Sequence, residues 1–125
     1  MYISDISQRS GLSIYTLRYY EKEGLLTNIS RNGSGRRVYS ETDLMWLTWI
    51  QRLKSTGMSL SEIKKFSALR TKGVASITDR KNMLINHASK LEADIKHLQG
   101  ELKIVEFKVK AYEEKEKEVL TSSEL

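Results

Sequence analysis

The sequence predicts a mainly α fold: a small helical domain with a two-stranded hairpin, followed by one long coiled-coil helix. Three observations carry this. Proline is absent from all 125 residues, which suits a chain dominated by helices. Before residue 74, segments open on serine and close on glycine, residues that cap helices at their two ends. Beyond Gly73 the apolar residues fall into an unbroken heptad.

The front segments define four helices. Ser4 precedes "DISQRSG" and Ser13 precedes "IYTLRYYEKEG". Ser40 precedes "ETDLMWLTWIQRLKSTG", with Glu41 and Asp43 as first-turn acids, and Ser59 with Glu62 forms an S-x-x-E capping box before "IKKFSALRTKG". Ile3, Ile6, Leu12, Leu17 and Tyr20 supply an interior shared by the first two helices. Two short helices joined by "SGLS" form a helix-turn-helix pattern, whose second helix suits a DNA groove. In the third helix, Trp46, Leu47, Ile50 and Leu53 make a core stripe, with Met45 and Trp49 toward its edge.

The stretch "LLTNISRNGSGRRVYS" breaks the helical pattern. Leu25, Leu26 and Thr27 are expected to pair with Val38 and Tyr39 across the loop Asn32-Gly33-Ser34-Gly35. Arg31, Arg36 and Arg37 surround that loop, and no acid occurs between Glu23 and Glu41. Such a tip fits a wing that grips phosphates better than it fits plain solvated surface.

Leu84, Ala88, Leu91, Ile95, Leu98, Leu102, Val105, Val109 and Tyr112 recur at steps of four and three, over about 44 Å of helix. A seam this regular calls for a partner helix, and nothing later in the sequence supplies one. A homodimer is expected. The domain lines then fall at 1–72 for the DNA-binding part, 73–117 for the dimerisation helix and 118–125 for a flexible tail.

Charge and composition narrow the function. Residues 1–72 hold 12 lysines and arginines against 6 acids, whereas residues 73–125 hold 9 against 10. An anionic partner would therefore dock on the front half. Cysteine is absent, which removes disulfides, thiolate metal sites and thiol nucleophiles. No apolar run nears the ~18 residues of a membrane span, and "MYISDISQ" lacks a signal peptide's features, so the cytoplasm is the expected location. No phosphate-binding glycine loop is present, and both histidines lie in the heptad region without a nucleophile beside them. An enzyme is not expected. Asp94, His97 and Glu101 share one helical face, but a solvated salt-bridge face is a better account of them than a metal site. No cofactor is expected.

If Ser13 caps the second helix, Tyr15, Thr16, Arg18 and Tyr19 fall in its first turns, where a helix-turn-helix reaches bases and phosphates. Arg18 can bridge phosphate oxygens or read a guanine. Of the adjacent Tyr19 and Tyr20, one packs while the other faces the duplex.

From Tyr2 to Leu69 these motifs resemble the MerR family of bacterial transcriptional regulators. The likeness rests on "TLRYYEKEGLL", on "RRVYSETDL" and on "GMSLSEI". It implies a winged helix-turn-helix, a second helix pair behind it and an antiparallel coiled-coil dimer. It also implies a promoter with over-spaced −35 and −10 elements, distorted so that RNA polymerase engages both. The resemblance assigns DNA-backbone contacts to Arg18, Tyr19 and Tyr20 and wing roles to Arg36, Arg37 and Tyr39; whether Tyr20 touches phosphate or packs stays open. The section from Trp49 to Gly73 is most similar to the aldehyde- and electrophile-stress branch. Without that branch's cysteine near Gln51 and Arg52, thiol sensing is excluded, and the metal sensors' cysteines are missing too. No separate effector domain is expected. Trp46 and Trp49 are the candidates to line an effector pocket, although such aromatics more commonly pack an interface; the chain can equally act without an effector. A phage-type architectural or excision factor is the alternative, disfavoured by the long seam. A coiled-coil adaptor would leave the Arg18-Tyr19 pair and the wing unexplained.

Overall fold

The computed structural model describes residues 1–124. Five α-helices and a two-stranded hairpin follow one another: α1 (Ile3–Ser10), α2 (Ile14–Lys22), β1 (Ser30–Arg31), β2 (Arg37–Val38), α3 (Glu41–Ser55), α4 (Leu60–Thr71) and α5 (Ile77–Glu124). A single 3-10 turn, Gly73–Ser76, leads into α5. Packing divides the chain into two compact units, Met1–His87 and Ala88 onward. The first turns of α5 thus belong with the small helices, where Met83 and Leu84 pack against the core.

Capping chemistry sets the helix starts. The hydroxyls of Ser13, Ser40 and Ser59 accept the backbone N–H of Thr16, Asp43 and Glu62, each at 3.0–3.2 Å. Asp43 returns the favour at Ser40 by accepting its N–H at 2.8 Å. At Ser59 the reciprocal bond differs from the capping-box expectation: Glu62 accepts from the Ser59 hydroxyl at 3.1 Å. Ser4 does not cap α1. The Asp5 carboxylate accepts the Tyr2 N–H at 2.9 Å instead, so the helix starts one residue before Ser4. Gly11, at φ 77°, ends α1 in the left-handed region that glycine enters without strain, and its N–H reaches the Ser7 carbonyl.

The core of the first unit holds Ile6, Leu17, Tyr20, Leu25, Leu26, Tyr39, Trp46, Leu47, Ile50, Leu53, Met58, Ile63 and Phe66. The α3 stripe anticipated from the sequence is buried, with Met45 exposed and Trp49 half-buried beside it. Trp46 corrects one expectation. Its indole N–H donates to the Leu25 carbonyl at 2.7 Å, Phe66 stacks on it at 5.9 Å, and the Arg70 guanidinium lies 4.5 Å over its ring. That environment makes it a core residue and leaves it no place on a pocket edge.

The hairpin is displaced from its expected place. Ser30 pairs with Val38 and Arg31 with Arg37, antiparallel, while Leu25 and Leu26 are outside it and both buried. A strand turns successive side chains to opposite faces, so two adjacent buried leucines cannot be strand residues over a one-sided core. They lie in a turn whose N–H groups both donate to the Tyr20 carbonyl. The Asn32 side-chain oxygen organises the loop by accepting from the Ser34 N–H, the Ser34 hydroxyl and the Arg36 N–H.

In the second unit, α5 exposes Ile95, Leu98, Leu102, Val105, Val109 and Tyr112. The helix continues through residues 118–124, where a flexible tail was expected; Glu118 and Leu120 are good helix formers there, and Glu114 pairs with Lys117 one turn earlier. Residue 125 of that tail lies outside the described residues. A Cβ added at Gly100 would meet nothing within 4 Å. Gly100→Ala should therefore raise the unfolding free energy by about 0.5–1 kcal/mol, read as a higher midpoint in thermal melts followed by circular dichroism.

Candidate nucleic-acid interface

The site is built around α2. At about 100° per residue, Leu17 and Tyr20 point to one side and are buried. Ile14, Tyr15, Arg18, Tyr19 and Lys22 occupy an arc of about 140° on the other side and are all exposed. Ser13 serves as the cap, donating its own hydroxyl proton to the Thr16 hydroxyl at 2.9 Å. Thr16 is half-buried behind that bond.

The adjacent tyrosines divide their roles. Tyr20 is 2% exposed, and its hydroxyl accepts from the Lys54 ammonium at 3.2 Å. Tyr19 is 38% exposed, its ring 6.3 Å from that of Tyr20. Tyr20 therefore packs, and Tyr19 is the one left with an open ring.

Beside α2 a cleft of about 240 Å³ is lined by Ile3, Arg18, Arg31, Gly35, Arg36 and Arg37. Four guanidinium groups and no carboxylate line it. The four are not equivalent. Arg37 donates from Nε to Glu21 at 2.8 Å, and this carboxylate raises its pKa above the ordinary arginine value. Arg31 donates to the Gly35 carbonyl at 2.7 Å across the loop. Arg36 stacks 3.5 Å over the Tyr2 ring, which also accepts from the Asn32 amide at its hydroxyl. Among the described residues, Arg18, Arg31 and Arg36 have no carboxylate partner, and Lys22 makes no ion pair although its charge, after the hydrogen bond from Lys64, helps lower the pKa of Glu23.

Tyr39 departs from its expected wing contact. It is 2% exposed, held by a two-way backbone pairing with Met1, and its hydroxyl is buried without a hydrogen-bond partner. Burial pushes the pKa of that hydroxyl up, and the nearby Glu21 carboxylate adds to the shift. Lys22 was not anticipated. The signal was present in its spacing, one helical turn after Arg18 on the same face.

The described residues hold no group of three or more His, Cys, Asp or Glu able to bind a metal, and Asp94, His97 and Glu101 make none. No described helix is long and apolar enough to cross a membrane.

An exposed helix face rising from a capped first turn, with a basic two-stranded wing beside it, has the geometry of a winged helix-turn-helix. The profile of the MerR HTH family regulatory protein matches residues 1–69, and that described as MerR, DNA binding, matches residues 44–100. The chain belongs to the MerR family. A transcriptional regulator of the HTH type from Haemophilus influenzae is 38% identical over 107 residues, covering 86% of this chain and 79% of its own. The HTH-type transcriptional regulator AdhR of Bacillus subtilis is 34% identical over 91 residues, 73% of this chain and 65% of its own. A MerR family regulator from Listeria monocytogenes superposes with a TM-score of 0.84 at 31% identity, over 90% of this chain and 86% of the other. HiNmlR, a MerR family regulator lacking the sensor domain and solved bound to promoter DNA, superposes with a TM-score of 0.80 at 36% identity, over 90% of each chain. The family consists of transcriptional regulators, and this MerR protein carries the DNA-binding domain of a regulator, not an enzyme's site.

Tyr39→Phe keeps the buried ring and removes an unpaired hydroxyl. It should hold or raise the unfolding free energy, by up to about 1 kcal/mol. A loss of that size in urea denaturation would show that the hydroxyl has a partner.

Proposed function

We propose that this MerR protein acts as a homodimer on double-stranded promoter DNA, with α2 in the major groove and the wing on the adjacent backbone. The observation that carries this is the α2 face with its neighbouring four-arginine cleft, which offers cations to an anionic backbone without a competing acid inside it. Arg18, Lys22, Arg31 and Arg36 contact phosphates. Tyr15 and Tyr19 lie toward the groove, with Ser13 and Thr16 bonded to each other and holding the first turn. Arg37 acts through Glu21 by fastening β2 to α2, while Tyr20 and Tyr39 support the interface from the core.

The seam of α5 from Leu84 to Tyr112, through Ala88, Leu91 and the residues beyond, joins two copies as an antiparallel coil. The exposed side chains of Ile95, Leu98, Leu102, Val105, Val109 and Tyr112 along one face of α5 support that reading. Leu84 at its start packs on the core of the first unit, and Ile85, Ile104 and Phe107 are exposed outside the seam. Domain limits at 1–72 and 73–117 belong to the same proposal. A dimer with two such faces bends and untwists DNA between over-spaced promoter elements and so affects RNA polymerase indirectly. That HiNmlR, a MerR family regulator lacking the sensor domain, was solved bound to promoter DNA supports the DNA-binding part of this reading. Its place of action is the cytoplasm, where the promoter is.

Footprinting on the DNA upstream of the chain's own gene tests the reading. Protection of a pseudo-palindrome between promoter elements, with hypersensitive cleavage at its centre, is expected. Arg18→Ala should weaken that binding by roughly 1–3 kcal/mol while the protein stays folded. Salt-sensitive binding without a footprint would move the adaptor or architectural reading forward. Leu98→Lys places a charge in the seam and should convert dimer to monomer in sedimentation equilibrium; a persistent dimer would put the interface elsewhere.

A further inference from the structure

The exposed face of α2 changes chemistry along its length. Its first turn carries Ile14 and Tyr15, both uncharged, and its later turns carry Arg18, Tyr19 and Lys22. Tyr15 is 81% exposed and Ile14 36%, and Tyr15 makes no hydrogen bond or ring contact among the described residues. The ring of Tyr15 and about a third of Ile14 are left in water at the tip of a basic face, which costs solvation free energy. Phosphate binding does not explain Ile14, which has no donor, and the single Tyr15 hydroxyl does not account for the exposure of its ring.

The chemistry of the first turn also limits what it can read in a groove. Guanine is recognised by paired donors from Arg or Lys, and adenine by the amide of Asn or Gln. The first turn has none of these, and the Thr16 hydroxyl is engaged by Ser13. The apolar feature that the major groove presents is the C5 methyl of thymine. We propose that Ile14 and Tyr15 read base identity by packing on thymine methyls, so that the half-site is set by A·T pairs beneath the first turn of α2. Arg18, Lys22 and the wing arginines hold the backbone and contribute affinity at any sequence. This rests on the reading that α2 enters the major groove.

The test is selection of bound duplexes from a randomised DNA pool by the full chain, followed by replacement of each selected thymine with deoxyuridine. Deoxyuridine retains the base pair and its hydrogen-bonding groups and lacks the methyl. At one or two thymines per half-site, wild type should lose about fourfold in affinity for each methyl removed. Ile14→Ala should abolish the loss at one of these thymines and Tyr15→Ala at another. Tyr15→Phe should retain the methyl sensitivity. Neither alanine variant should change the slope of affinity against salt, since neither residue carries a charge that displaces counterions. Both side chains are exposed, and circular dichroism checks that the variants fold. Deoxyuridine sites bound as tightly as thymine sites would overturn the proposal, as would alanine variants that select the wild-type sequence. Binding without any enriched sequence would overturn base reading and leave DNA binding intact. No binding to any duplex at low salt would instead remove the DNA interface on which the proposal stands.

Discussion

The corner at Leu25 is the constraint on which the first unit depends. Here the chain leaves α2 and enters neither a helix nor a strand, yet Leu25 and Leu26 are buried. Buried backbone polar groups need partners, at about 1–3 kcal/mol for each one left without. The Tyr20 carbonyl accepts the N–H groups of both leucines. The Leu25 carbonyl accepts the Trp46 indole from α3, and the Ser67 hydroxyl from α4 reaches toward the same oxygen. One short stretch of irregular backbone thus draws three helices together and launches the hairpin. The orientation of α2, and with it the exposed face, follows from this corner.

The same corner accounts for the division of cations into two groups. Arg9 with Glu41, Arg37 with Glu21 and Lys64 with Glu23 each join residues far apart in sequence. They act as clasps between elements, and as surface pairs each contributes little stability. Arg18, Arg31 and Arg36 stay free of carboxylates and gather around α2 and the wing, where Lys22 joins them without an ion pair of its own. An anionic ligand at this face therefore meets charges that need not be taken from an internal partner first. Electrostatic attraction there would be stronger than the modest net charge of +5 suggests, because three unpaired arginines, Arg18, Arg31 and Arg36, line one cleft.

Much of this was legible in the sequence because capping and helical periodicity are local. Ser13, Ser40 and Ser59 announce their helices, and the α3 stripe from Trp46 to Leu53 follows from spacing. What escaped depends on contacts distant along the chain. Leu25 and Leu26 have strand-like composition, and only Trp46 and Ser67, 21 and 42 residues from Leu25, decide that they belong to a buried turn. Tyr39 sits among wing residues in sequence, but its pairing with Met1 draws it inward. Tyr20 and Tyr19 cannot be told apart by composition; the position of Lys54 on α3 settles which one packs. Lys22 is the exception, a residue whose place beside Arg18 on the exposed face is visible in the local helical spacing.

The second unit poses a different physical problem. Helices draw most of their stability in proteins from packing an apolar face, and the seam residues of α5 from Ile95 onward are left exposed among the described residues. Helix formation and pairing of two copies would then be a single linked equilibrium, shifted by protein concentration. A duplex with two half-sites would enter the same linkage, since it binds the paired form through two α2 faces and the single form through one. Under the proposed dimer, occupancy of the promoter would rise more steeply than in proportion to the amount of protein. A regulator without a sensing cysteine would in that way respond to its own abundance through the same seam that holds it together.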